Sequence, residues 1–326
     1  MRAWLLPENI EDVLPPKAWR LEDVRRAMLD LFRGRGFELV VPPLIEYVDS
    51  LLTGAGTDLD LKTFKLVDQL SGRMMGVRAD MTPQVARIDA HLLGHNPVNR
   101  LCYAGSVLHT VPDGVYRSRE PMQLGAELYG VAGVEGDLEI LTLMLDALQA
   151  AGLKNPQLDI GHVGIYRALV EEAGLCAEVE EALFKALQAK AADEVRSLCE
   201  GLNPKLGQAL VALTQLYGGV EILQTARTTL PDNPRIHAAL DTLAHLADSL
   251  EGRGIDLALD LAELRGYGYH SGAVFAAYTG GHSRAIALGG RYDEAGKAFG
   301  RARPATGFSL DLRELVEAAP GEQSNL

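Results

Sequence analysis

The segment 105-GSVLHTVPDGVYRSREPMQLGAELYG-130 decides the fold of this chain. Apolar residues on both sides of its polar centre predict two paired strands, Leu101–Leu108 and Met122–Tyr129, with a loop between them. The returning strand follows the pattern Gln-x-Gly-x-Glu, which places three residues at alternate positions: Gln123, Gly125 and Glu127. The segment therefore predicts a hairpin with a polar end.

This hairpin resembles the second signature motif of class II aminoacyl-tRNA synthetases, and its residue order is most similar to that of the histidyl-tRNA synthetases. In that family an arginine and a glutamate on the first strand hold ATP, whereas the aligned positions here are His109 and Val111. The positions that face the amino acid are kept as Gln123, Gly125, Glu127 and Gly130. The resemblance implies a retained amino-acid pocket without the nucleotide chemistry.

A second match is the segment ELRGYGYHSGAVF at Glu263–Phe275, which resembles the histidyl-synthetase pattern RGLDYYTGxVF. Arg265 is kept, and in the family this arginine lies against the substrate carboxylate and the reacting phosphate. Tyr269 matches the first tyrosine, while His270 replaces the second and Gly268 replaces the aspartate. The alternative is that Arg265 forms a structural salt bridge.

The corner VRADMT at Val77–Thr82 is similar to a strand-to-helix turn of the same family. There an acid binds the α-amino group of the substrate and a threonine follows two residues later, which implies these roles for Asp80 and Thr82. From the residues alone, Thr82 is predicted as the N-cap and Pro83 as the first residue of a helix. The alternative role for Asp80 is only to assist that helix N-terminus.

A third match joins GGRYD at Gly289–Asp293 with RPATGFSLDL at Arg303–Leu312 and resembles the third class II motif. The family ends this run with a glycine and, three residues later, an arginine near the nucleotide. The corresponding positions here hold Asp311 and Glu314. Activation of an amino acid by ATP requires cations that stabilise the phosphate charge in the transition state. We therefore expect no activation, and we assign no catalytic residue.

The resemblance implies that the pocket binds L-histidine. Asp80 pairs with its ammonium group, Arg265 with its carboxylate, and polar side chains with its imidazole. The expected histidine-binding residues are Asp80, Thr82, Gln123, Glu127, Arg265, Tyr269, His270 and Tyr292. We expect no cofactor and no metal, since the cysteines lack ligand spacing and are predicted as buried structural residues: Cys102, Cys176 and Cys199.

The predicted fold class is α+β, with a class II synthetase-like antiparallel sheet flanked by helices. Strand signals stop after residue 164 and return after residue 252, so we predict a core domain of residues 1–164 and 253–320 with an inserted helical module of residues 165–252. The segment VPPLIEYVD at Val41–Asp49 resembles the first class II motif, which implies a homodimer interface. The alternative is a Pro-Pro pair that merely ends a strand.

The resemblance extends from residue 1 to about residue 315 and leaves no room for an anticodon-binding domain. This combination resembles the regulatory subunits of ATP phosphoribosyltransferase. It implies a hetero-octamer with a short catalytic subunit, which performs the first step of L-histidine biosynthesis under feedback inhibition by histidine. Two other functions stay open: a histidine sensor for another partner, and an active adenylate-forming enzyme, which should have kept the arginines.

The charge balance bears on partners and location. The chain has 31 Lys and Arg residues against 44 Asp and Glu residues, a formal charge of −13. Proteins that bind a polyanion usually carry a basic surface, so we expect no tRNA partner. Neither a signal peptide nor a membrane-spanning run is predicted, and we expect a cytoplasmic protein.

Overall fold

The computed structural model describes residues 5–54, 57–112, 114, 117–280 and 284–319. Its contacts divide the chain into two compact units. Unit 1 comprises Met1–Ala132, Glu139–Lys154 and Asp293–Leu326. Unit 2 comprises Gly133–Leu138 and Asn155–Tyr292.

Helices and strands alternate through the first half of the chain. In order they are α1 (Lys17–Gly34), β1 (Glu38–Leu39), β2 (Ile45–Tyr47), α2 (Val48–Leu51), α3 (Thr57–Lys62), β3 (Phe64–Val67), β4 (Met74–Val77), α4 (Thr82–His91), β5 (Asn99–Ser106), β6 (Met122–Tyr129) and α5 (Val134–Ala150).

The second half begins with a strand and a series of helices and then returns to strands. In order the elements are β7 (Gln157–His162), α6 (Val163–Ala173), α7 (Ala177–Gln188), α8 (Ala192–Leu198), α9 (Pro204–Leu213), β8 (Tyr217–Gly218), α10 (Ile222–Thr229), α11 (Pro234–Ser249), β9 (Asp256–Asp260), β10 (Ala273–Tyr278), β11 (Ala287–Arg291), a short 3-10 helix (Ala295–Phe299), β12 (Ala305–Asp311) and α12 (Leu312–Ala318).

Four strands of unit 1 pair in the order β1-β5-β6-β12. β1 runs parallel to β5, whereas β6 is antiparallel to both β5 and β12. Helix α1 covers this sheet, because Phe32 is fully buried and meets Phe308 edge to face at a centroid distance of 5.9 Å. A smaller antiparallel sheet, in the order β2-β4-β3, leads into α4.

Unit 2 contains five strands in the order β11-β10-β7-β9-β8. Helices α6 and α11 pack on β7 and β10. Unit 2 also contains a buried ion pair between Arg291 and Asp137, whose side chains are 7% and 2% exposed. Arg291 also donates to the carbonyl of Gly133 at 2.7 Å, which ties β11 to the start of α5. Buried ions need such geometry and extra hydrogen bonds to offset their lost hydration.

The structure confirms the predicted α+β class, and strands β6 and β10 occupy the predicted residues. One local prediction is wrong. The pairs Gly280-Gly281 and Gly289-Gly290 predict turns between strands, but Gly289 and Gly290 lie inside β11. The glycine at position 290 serves close packing, because a Cβ there would lie 2.7 Å from the His270 ring and 2.8 Å from the Ala273 carbonyl oxygen.

The predicted division at residues 165–252 stays a prediction, and the two compact units divide the chain at other residues. Most of that region is helical as expected, but it also contains the short strand β8. Three predictions fall on residues outside the described ranges: part of the hairpin loop at 113 and 115–116, Gly281 of the predicted Gly280-Gly281 turn, and the short frayed tail that is expected after Pro320.

The three cysteines differ in exposure. Cys102 and Cys199 are buried as predicted, but Cys176 is exposed, because it precedes the first turn of α7 at the surface.

Within the described ranges, no helix combines the length and the hydropathy needed to cross a membrane.

Candidate functional site

The centre of unit 1 is one face of strand β6. Side chains at alternate positions of a strand point to the same side, so Gln123, Gly125 and Glu127 share this face. The strand register places Tyr103 of β5 opposite Gly125 and Gly307 of β12 opposite Glu127. This register brings the Tyr103 hydroxyl close to the Glu127 carboxylate, because the cross-strand neighbours of the two residues, Gly125 and Gly307, have no side chains.

Glu127 carries a buried carboxylate that is only 1% exposed. The Tyr103 hydroxyl donates to its Oε1 at 2.9 Å, and the Thr82 hydroxyl donates to the same oxygen at 3.2 Å. Burial, and then the nearby carboxylates of Glu127 and Asp80, raise the pKa of Tyr103 well above its usual range. The tyrosine therefore remains a hydrogen-bond donor to this carboxylate.

The two glycines are sterically required in this cluster. A Cβ at Gly307 would lie 1.6 Å from Glu127 Oε2, and a Cβ at Gly125 would lie 2.4 Å from the Tyr103 hydroxyl. Both values are far below van der Waals contact. Glycine at these positions lets the polar side chains lie directly over the sheet.

The corner before α4 is joined to β6 through Gln123. Its Nε2 donates to Asp80 Oδ1 at 2.7 Å, and its Oε1 accepts the Met81 backbone N–H at 2.8 Å. Asp80 Oδ1 also accepts the Thr82 backbone N–H at 2.9 Å. Asp80 therefore does support the start of the helix, and it is also held by a side chain from the sheet.

Thr82 is not the N-cap of α4, in contrast to the prediction. The N-cap is Met81, which makes no side-chain capping bond, and Thr82 is the first helical residue. The physical reason is that the Thr82 hydroxyl is used by the buried cluster, where it contacts Tyr103 at 3.1 Å and Glu127.

The positions aligned with the ATP-binding side chains have other roles in unit 1. His109 Nε2 donates to the Ala79 carbonyl at 2.9 Å and so supports the backbone just before Asp80. Val111 is apolar and 54% exposed. Neither supplies a cation for a phosphate group.

Glu314 forms an ion pair with Arg117 that uses both carboxylate oxygens. Arg117 Nε lies 2.5 Å from Oε1 and Nη2 lies 2.6 Å from Oε2. The pair borders a cavity of about 380 Å³ in unit 1. Its lining residues are Asn9, Ile10, Glu11, Arg117, Ser118, Asp311, Arg313, Glu314 and Glu317. Sequence reasoning did not assign Arg117 to any site.

Arg265 lies in unit 2, in a loop between β9 and β10. Its Nη2 donates to Glu263 Oε2 at 2.8 Å and to the Tyr278 hydroxyl. Its side chain is still 41% exposed. Arg265 therefore forms a structural salt bridge, which was the alternative role given above, and part of its side chain remains exposed.

The aromatic residues of unit 2 lie beside this loop. Tyr269 and Tyr292 are stacked with ring centroids 4.9 Å apart. His270 Nδ1 donates to the Arg265 carbonyl at 3.1 Å. Burial lowers the pKa of His270, so its ring is neutral at physiological pH. The bond to the Arg265 carbonyl stabilises the turn between these two residues.

The eight predicted ligand residues thus fall into two groups. One is the hydrogen-bonded cluster of Asp80, Thr82, Gln123 and Glu127 in unit 1, and the other is the set of Arg265, Tyr269, His270 and Tyr292 in unit 2. Tyr103 was not among the residues predicted from the sequence, although its place opposite Gly125 in the predicted hairpin could have indicated it. No group of side chains suited to hold a metal ion occurs among the residues whose positions are described.

The chain resembles proteins of known family throughout its length. The histidyl-tRNA synthetase family model matches residues 9–315. An ATP phosphoribosyltransferase regulatory subunit from Thiobacillus denitrificans is 68% identical over 99% of this chain and 100% of that protein. The chain therefore belongs to the histidyl-tRNA synthetase-like family of ATP phosphoribosyltransferase regulatory subunits.

Solved structures agree with this fold. An ATP phosphoribosyltransferase regulatory subunit/histidyl-tRNA synthetase from Bacillus halodurans matches with a TM-score of 0.87 and 29% identity, over 98% of this chain and 84% of that one. The ATP phosphoribosyl transferase (HisG:HisZ) complex from Thermotoga maritima contains a chain that matches with a TM-score of 0.69 and 19% identity, over 92% of this chain and 98% of that one. The second likeness concerns the fold alone.

Asp311 should make stability depend on pH. Burial raises the pKa of this carboxyl from 3.8 to about 6, so the native state keeps a proton that the unfolded chain loses in this window. The free energy of unfolding should therefore fall as the pH rises from about 4 to about 6. Asn at this position cannot ionise and still caps α12. The Asp311→Asn variant should gain up to about 3 kcal/mol over the unmodified chain between about pH 4 and about pH 6.5.

Urea unfolding followed by circular dichroism at several pH values measures this difference. The exposed Asp248→Asn variant is the matched control, since Asp248 lies at the surface of α11. A constant difference between Asp311→Asn and the unmodified chain over this pH range would show that Asp311 is ionised throughout.

Proposed function

We propose that this chain is a non-catalytic subunit that the short catalytic subunit of ATP phosphoribosyltransferase requires for the first step of L-histidine biosynthesis and for feedback inhibition by histidine. One observation carries the proposal. Unit 1 retains a buried acceptor cluster around Glu127, whereas Glu314, at the position of the nucleotide-binding arginine, is paired internally with Arg117.

Histidine is the ligand whose chemistry fits the retained groups. The carboxylates of Asp80 and Glu127 suit an ammonium group and an imidazole N–H. Their hydrogen bonds to Gln123 and Tyr103 hold them in place before a ligand arrives. A buried polar set of this kind discriminates strongly against ligands that leave it unpaired. For the carboxylate of histidine we propose Arg265, as the family resemblance implies.

Catalysis of amino-acid activation is not expected from this chain. The ATP phosphates need oriented cations, and loss of one such donor typically lowers the rate by about 10²–10³. Here His109 is engaged with the Ala79 carbonyl, and Arg117 is neutralised by Glu314. Asp311 and Glu314 are carboxylic side chains, so neither offers the phosphates a cation.

The proposed partner is the short catalytic subunit. The Thermotoga maritima neighbour is named as a complex, and the Thiobacillus denitrificans relative is named as a regulatory subunit. A hetero-octamer is the assembly that the family resemblance implies. The charge of −13 disfavours tRNA as a partner, because polyanion binding depends on cationic side chains.

We also propose a homodimer through the segment Val41–Asp49. Large apolar side chains in and before this segment are exposed: Leu39 at 54%, Val41 at 81%, Leu44 at 52% and Ile45 at 42%. A cluster of exposed large apolar side chains along one segment favours an interaction site there. A second copy of the chain would cover it.

The activity test uses the short catalytic subunit alone and mixed with this chain. Formation of phosphoribosyl-ATP should require the mixture, the two chains should co-elute in size-exclusion chromatography, and histidine should inhibit the complex. Feedback requires that histidine prefers one state of the complex, with a typical coupling of about 5- to 150-fold. A catalytic subunit that is fully active alone and never co-elutes would favour the free histidine sensor instead.

Glu127→Gln should weaken inhibition by histidine. This variant keeps the shape of the side chain but removes the charge, and a charge-assisted hydrogen bond contributes about 1.5–3 kcal/mol. The inhibition constant should therefore rise about 10- to 150-fold, while assembly measured by light scattering stays intact. Glu200→Gln, at an exposed carboxylate, is the control. An unchanged inhibition curve would exclude this cluster as the histidine site.

Val41→Glu should separate the dimer. A charge in the centre of an apolar interface stays hydrated only if the interface opens. Size-exclusion chromatography with light scattering should show the mass of two chains for the unmodified protein and of one chain for the variant. Val220→Glu, at an exposed valine of unit 2, should remain a dimer. If Val41→Glu also remains a dimer, the interface lies elsewhere.

A further inference from the structure

The loop that carries Arg265 and Tyr269 lies between β9 and β10 and is built from tight turns. The Tyr267 N–H donates to the Leu264 carbonyl at 3.0 Å, and the His270 N–H donates to the Gly266 carbonyl at 2.7 Å. At the end of the loop, the Ser271 N–H donates to the Arg291 carbonyl of β11 at 2.7 Å. The two local bonds shape the rest of the loop but do not attach it to the helices of unit 2, so its placement there depends on side-chain contacts.

Arg167 of α6 provides the first contact. Its Nη2 donates to the Tyr267 carbonyl at 3.1 Å and to the His270 carbonyl at 3.0 Å. The two carbonyls lie on either side of Tyr269 in the chain, so one guanidinium holds both ends of the segment that presents this side chain. The same guanidinium lies 5.1 Å from the centroid of the Tyr267 ring.

Tyr267 provides the second contact, with α7. Its hydroxyl donates to Glu180 Oε1 at 2.7 Å. Its ring packs edge to face on Tyr166 at 5.1 Å and beside Phe184 at 5.8 Å. Burial, and then the bond to Glu180, raise the pKa of Tyr267 to about 12, so the hydroxyl keeps its proton over the physiological range. The loop is thus fastened to two helices.

We propose that Arg167 and Tyr267 are positioning residues that set the affinity for histidine by holding the loop of Arg265 and Tyr269 in its binding geometry. The inference rests on the proposed function, since it takes histidine as the ligand of this loop. Without the two contacts, ligand binding would have to order the loop, and the free-energy cost of that ordering would weaken the affinity.

Calorimetric titration of the full chain with histidine tests the proposal. Tyr267→Phe keeps the ring packing and removes only the bond to Glu180, so the dissociation constant should rise about 3- to 10-fold. Arg167→Met removes two bonds and should raise it about 10- to 100-fold. Arg235→Met is the control, because Arg235 pairs with Glu171 of α6 at the exposed surface, where ion pairs contribute little.

A double-mutant cycle separates positioning from general destabilisation. If Tyr267 acts through the loop, Tyr267→Phe should cause a smaller further loss of affinity once Arg265→Ala has removed one of the two groups that the loop presents. Combined with Asp80→Asn in unit 1, the same substitution should add its full effect. Full additivity with Arg265→Ala would overturn the proposal.

Hydrogen exchange of residues 264–271 in the ligand-free protein tests the contacts without any ligand. Exchange should be faster in Tyr267→Phe and in Arg167→Met and unchanged in Arg235→Met, while each variant keeps the melting temperature within a few degrees. Unchanged exchange in the first two variants would overturn the positioning role whatever histidine does. Absence of histidine binding in the unmodified chain would refute the proposed ligand, whereas tight binding in all variants would refute only this inference.

Discussion

The buried carboxylate of Glu127 is the constraint on which the polar centre of unit 1 depends. A buried charge without partners costs several kcal/mol, so the surrounding chain must supply hydrogen-bond donors and room. Tyr103 and Thr82 supply the donors, and Gly307 supplies the room. These requirements fix the register of three strands and the position of the first turn of α4. An apolar residue of the same size would fill the space more simply, and the retained carboxylate therefore favours a ligand-binding role.

In the rest of unit 1, the positions aligned with the nucleotide-binding side chains of the resembling synthetases have partners within the chain. The cation that lies near the third motif, Arg117, is saturated by Glu314, and the ring of His109 is used to support the backbone at Ala79. Asp311 accepts the N–H groups of Met122 and Arg313 and so caps α12. Each of these groups therefore has a structural partner of its own within unit 1.

Local sequence patterns predict the α+β class and the hairpin, and the family resemblance implies the residues of β6 that form the cluster. They were not sufficient for groups defined by tertiary neighbours. Tyr103 joins the cluster only because the strand register places it opposite Gly125, and Arg117 meets Glu314 across a large separation in the chain. The Gly289-Gly290 pair was predicted as a turn, since a glycine required by close packing and one required by a turn look alike in sequence. Thr82 was predicted as an N-cap because the competing acceptor, Glu127, lies on a different element.

The central claim is that the chain keeps the recognition of an amino acid and has lost the chemistry of its activation. Histidine-dependent exchange of pyrophosphate into ATP measures that chemistry directly, with the purified chain and a sample without protein as the reference. We expect exchange no faster than in the reference, because no described cation in the aligned positions is available to the phosphates. Clear histidine-dependent exchange would contradict the claim and would make the chain an active adenylate-forming enzyme.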